Sequence, residues 1–73
     1  MKKIRLRSNV VYDVMLRRCI TQRELAQRAG ISPAVLSLLL SGRRYAGPAV
    51  RSRLLSTPLL KPLGYDGLFQ VEG

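Results

Sequence analysis

Histidine is absent from this 73-residue chain, cysteine occurs once, at Cys19, and only four side chains are acidic: Asp13, Glu24, Asp66 and Glu72. Without histidine, a zinc site would have to be assembled from one thiol and scattered carboxylates, so no metal ligand is expected. A lone cysteine also excludes an intramolecular disulfide, and Cys19 is read as a small buried hydrophobe. Nucleophile–base pairs need histidine, or lysine beside serine, and hydrolysis by paired carboxylates needs two that converge; here the acids lie in separate segments. The phosphate-cradling G-x-x-x-x-G-K and G-x-G-x-x-G loops are missing too. The expectation is a protein that is not an enzyme, with no catalytic residue and no cofactor.

Long apolar runs are equally scarce. None approaches the roughly 18 residues that a membrane span requires. The basic start Met1-Lys2-Lys3 leads into alternating Ile4-Arg5-Leu6-Arg7, not into an unbroken signal-peptide core. A soluble, cytoplasmic protein with no membrane partner is expected.

What is present is positive charge and helical patterning. Thirteen Lys and Arg against four acids give a net charge of +9, while 47% hydrophobic content with 23% charged residues is too apolar for a disordered tail. A single domain over 1–73 is expected, with room for one core and one surface function and no separate effector-binding domain. Val10, Val11, Val14 and Met15 recur on one side of a first helix that begins at Ser8 or Asn9 as N-cap and carries Arg17 and Arg18 in its last turn. Thr21-Gln22-Arg23-Glu24 has the form of a capping box and starts a second helix that stops at Gly30. Ser32-Pro33 opens a third, about ten residues long and closed by Gly42. Gly47-Pro48 opens a fourth that carries Val50, Leu54 and Leu55 to about Ser56. Pro58 and Pro62 then permit only short turns, and residues 57–73 are read as a loop with one apolar turn folded back on the core.

The joint between the second and third helices is the informative feature. Leu25 and Ala29 lie four apart, Leu36 and Leu39 three apart, and Ile31 fills the corner between them, so the five share one core. Ala26 is small enough for the helices to cross closely, and Gly30 suits a turn that needs positive φ. This makes 21–42 a helix-turn-helix. The run Thr21-Gln22-Arg23-Glu24-Leu25-Ala26-Gln27-Arg28-Ala29-Gly30-Ile31-Ser32-Pro33, with Leu36-Ser37 and Leu39-Leu40-Ser41-Gly42-Arg43-Arg44 after it, resembles the lambda-repressor/Cro-like helix-turn-helix family. The likeness extends more loosely over residues 8–69. It departs at Cys19, where such proteins often have glycine, and in a third helix without the Gln, Asn or Arg that many members turn toward bases.

The resemblance implies an all-α, compact four- to five-helix DNA-binding domain that regulates transcription, a repressor acting by promoter occupancy, of bacterial or phage type. It places Ser32, Pro33, Ala34, Ser37, Leu38 and Ser41 toward base edges in the major groove, and Gln22, Arg43 and Arg44, with Arg23 and Tyr45 as companions, on phosphates. The short basic arm, residues 1–7, has two readings: Lys2, Lys3, Arg5 and Arg7 enter the minor groove, or the Ile4/Leu6 alternation docks the segment as an extended strand, which the pattern favours. Arg51, Arg53 and Lys61 are read as solvated surface. Leu59, Leu63, Leu68 and Phe69 either cap the core or form part of an isologous homodimer, whose half-sites on double-stranded DNA would lie about 34 Å apart. Two alternatives stay open: an antitoxin or controller member of a two-gene system, and a module that docks on RNA polymerase or another protein through Leu38, Leu40 and the C-terminal surface.

Overall fold

In the computed structural model, which describes residues 3–72, the first and last described segments meet. Strand β1 (Lys3–Leu6) pairs antiparallel with β2 (Phe69–Glu72), setting Ile4 opposite Val71 and Leu6 opposite Phe69. Between the strands run α1 (Ser8–Arg18), α2 (Gln22–Ala29), α3 (Pro33–Leu40), α4 (Pro48–Ser56), a 3-10 turn over Lys61–Leu63 and α5 (Gly64–Leu68). The fold is therefore mostly helical, and the all-α expectation is corrected by this small sheet. Its cause is the alternation at both ends: Leu6 and Phe69, facing pair members, are both buried against the helices. The segment 57–73 is correspondingly more than an apolar turn, since it holds a 3-10 turn, a short helix and a strand. Lys2 lies outside the described residues.

Three helices end in the same way. The amides of Cys19 and Ile20 donate to the carbonyls of Leu16 and Met15, those of Gly30 and Ile31 to Gln27 and Ala26, and those of Gly42 and Arg43 to Leu39 and Leu38. Each pair is the crossed set of a Schellman motif, which needs one residue with left-handed backbone. Gly30 (φ 71°) and Gly42 (φ 77°) supply it without strain, whereas α1 uses Cys19 at φ 55°. Cys19 is exposed there, which corrects its reading as a buried hydrophobe.

Helix starts follow the sequence closely at α2, α3 and α4. Thr21 forms a full capping box with Glu24, Ser32 accepts from the Val35 amide with Pro33 behind it, and Pro48 follows Gly47. At α1 the N-cap position is Arg7, without a side-chain cap, and the Ser8 hydroxyl instead donates to the Leu40 carbonyl at 2.6 Å. That carbonyl is one of the last in α3 and has no intrahelical partner, so Ser8 joins α1 to the end of α3. Helix α3 stops at Leu40 and is shorter than expected.

The core gathers Val11 and Met15 of α1, Leu25, Ala26 and Ala29 of α2, Leu36, Leu39 and Leu40 of α3, and Leu54 of α4. Leu60, Leu68 and Phe69 close it from the C-terminal side. The radius of gyration, 11.1 Å, is what about 70 residues occupy when no segment stands away from the body. No helix among the described residues is long and apolar enough to cross a membrane.

Candidate nucleic-acid interface

Burial divides α3 into two faces. Leu36, Leu39 and Leu40 point into the core, while Ser32, Pro33, Ala34, Ser37, Leu38 and Ser41 are exposed. The burial of Leu40 removes it from the protein-docking surface that the sequence left open. The motif residues Leu25, Ala26, Ala29, Leu36 and Leu39 are buried together, Ile31 packs against them half-buried, and Gly30 makes the turn.

The three hydroxyls of the exposed face differ in what they have left to offer. Ser32 Oγ accepts from the Val35 amide at 3.1 Å and keeps its proton, whereas Ser41 Oγ spends its proton on the Leu38 carbonyl at 3.1 Å. Ser37 makes no side-chain hydrogen bond among the described residues. Pro33, Ala34 and Leu38 supply the apolar remainder.

Cationic and amide donors flank this unit. Arg43 and Arg44 are exposed directly after Gly42 and have no ion-pair partner among the described residues. At the start of α2, the capping box uses the amides of Thr21 and Glu24 and leaves those of Gln22 and Arg23 outside it. Hydrogen bonds from Thr21 to the Glu24 carboxylate, its amide first and its hydroxyl second, hold that carboxyl below its ordinary value, so it stays ionised as a cap. Gln22 is half-buried and Arg23 exposed. Residues 33–47 contain no acid, and the acids elsewhere are largely occupied: Asp13 pairs with Arg17 at 2.8 Å and Glu72 with Arg5 at 2.7 Å.

The basic arm is not free. Arg5 Nη1 donates to the Gly42 carbonyl at 2.6 Å, its Nε binds Glu72, and its guanidinium lies 4.8 Å from the centre of the Tyr45 ring. Arg7 Nε donates to the carbonyls of Asp66 and Phe69, both at 3.1 Å. These two arginines fasten the terminal sheet, so the minor-groove reading of the arm does not describe them; Lys3 is exposed with its ammonium 5.3 Å from the Tyr45 ring. The hydroxyl of Tyr45, which is exposed beside Arg44, accepts from Arg5 at 3.2 Å and donates to Glu72 at 3.4 Å.

Two features had no signal in the sequence. Arg53, read as solvated surface, donates through Nη1 to the Gly30 carbonyl and so braces the α2–α3 turn from α4. No local spacing links residues 23 positions apart. The second is where the surplus of apolar residues is left outside: Leu68 and Phe69 are buried and Leu59 and Leu63 half-buried, while Leu16 is 79% exposed and Tyr12 46%. The C-terminal patch offered for dimerisation is therefore core and its margin, and the apolar groove lies on α1 beside Met15, Ile20 and Gln22.

Among the described residues no group of three or more His, Cys, Asp or Glu could hold a metal ion. No family model, curated protein or solved structure matches the chain.

Proposed function

We propose that the protein is a double-stranded-DNA-binding transcriptional regulator that places α3 in the major groove and represses by occupying promoter DNA. The observation that carries this reading is the acid-free, exposed face of α3 running into Arg43-Arg44, which have no ion-pair partner among the described residues. A helix is the element that a major groove admits, and arginines at its end suit the phosphates along the groove edge. Gln22 and the amides at the start of α2 supply further phosphate donors. Two copies on one duplex, as a homodimer, would read a palindrome with half-sites about 34 Å apart.

The test is the salt dependence of binding, because each neutralised phosphate adds about −0.9 to the log–log slope. Replacing both Arg43 and Arg44 by Ala should flatten the slope by about one to two units and weaken binding to every sequence alike. A slope equal to that of the parent would overturn the assignment of these arginines.

A further inference from the structure

On the α4 side of the molecule, Arg51 is half-buried and has no carboxylate partner among the described residues. Among the described residues its Nε is fully buried without a hydrogen bond, and its Nη1 reaches the Tyr65 hydroxyl alone, at 3.5 Å. A guanidinium taken partly out of water with so little in return is an unbalanced charge. It lines an open groove of about 510 Å³, a size that takes a small molecule, together with Lys61, Ser52 and Tyr65. Pro48 and Leu55 give the same groove an apolar wall, and no acid lines it.

We propose that this groove binds the phosphate group of a small phosphate monoester, with the organic body laid against Pro48 and Leu55. The charge balances: two cations, Arg51 and Lys61, face a group that carries about −1.5 to −2 at neutral pH. Donors are supplied in the number a phosphate takes. The Tyr65 hydroxyl accepts from Arg51 and keeps its own proton to give, the Ser52 hydroxyl donates to nothing among the described residues, and Lys61 is exposed. A carboxylate has only two oxygens for these donors, whereas a phosphate monoester has three terminal ones. The groove would stand in a protein that bound no DNA, so the two assignments fail separately.

The experiment is an amide-resolved NMR titration of the full chain with AMP and, separately, with inorganic phosphate, at fixed ionic strength. Saturable shifts at Ser52, Lys61 and Tyr65, stronger for AMP, are expected. Lys61→Ala should weaken AMP by about tenfold, the loss of one charge-assisted contact, while Arg18→Ala, an equal loss of charge elsewhere, should leave it unchanged. Both substitutions are at exposed positions and leave the core intact. Equal weakening by the two variants, or shifts spread over every basic surface, would overturn the site. So would a flatter salt slope for duplex DNA in Lys61→Ala, because the phosphate would then belong to the duplex.

Discussion

Cys19 occupies a backbone position that suits glycine. At φ 55° and ψ 42° it turns the chain out of α1 by the same hydrogen-bond pattern that Gly30 and Gly42 serve at the next two helix ends. A side chain in this region costs about 1–2 kcal/mol. Glycine removes that strain but gives back part of it through a freer unfolded chain, about 0.4–1 kcal/mol. Cys19→Gly should therefore stabilise the protein by about 0.5–1 kcal/mol, a rise of several degrees in melting temperature for a domain of this size. Thermal unfolding followed by circular dichroism measures it, and a lower melting temperature would contradict the left-handed turn. The thiol is exposed, and among the described residues its side-chain hydrogen bonding is a single long one, 3.9 Å to the Leu16 carbonyl.

Among the elements, the terminal sheet depends most on charge. Arg5 and Glu72 lie on the same face, diagonal across the β1–β2 pair, and Arg5 carries the connection onward to the end of α3 through the Gly42 carbonyl. The hydrogen bond from Arg5 holds the Glu72 carboxyl below its ordinary value of 4.5, and the same bond raises Arg5. A carboxyl whose folded value is depressed contributes stability that is present above its unfolded value and is lost as pH falls through the folded one. The melting-temperature difference between the parent and Glu72→Gln should thus be constant near neutrality and shrink as the pH is lowered below 4.5. A difference independent of pH would mean that Glu72 acts by something other than its charge. Both groups are partly exposed, so added salt should also reduce the difference.

For the whole molecule, charge and readout separate. The net charge of +9 favours any duplex, whereas residues 32–41 contain no Arg, Lys, Asn or Gln to make a bidentate contact with a base. Each such contact is worth about 1–3 kcal/mol of discrimination, so in the proposed complex direct readout by α3 should be weak. The gap between the best site and random DNA should lie at about 4–6 kcal/mol, the low end of the usual range. Competition of a labelled duplex carrying the preferred site against random DNA at fixed salt measures it. A ratio near 10⁷, about 10 kcal/mol, would show that a surface other than α3 reads the sequence. Arg5 and Arg7 are poor candidates for that surface because both are held within the terminal sheet.

The sequence by itself determined α1 to α4 and the turn between α2 and α3. Caps at Thr21 and Ser32, prolines at 33 and 48 and the glycine at 30 act within three or four residues, so their effect is written where they stand. It also determined which side of α3 is buried, because helical spacing alone sends Leu36 and Leu39 to the same side. Tertiary structure decided everything that joins distant positions. Arg5 meets Glu72 across 67 residues and Arg53 meets Gly30 across 23, and no periodicity encodes either pairing. The same long-range packing buries Leu40, leaves Leu16 outside and draws the C-terminal apolar residues into the core, since which of several leucines finds cover depends on how the helices and the terminal sheet come together.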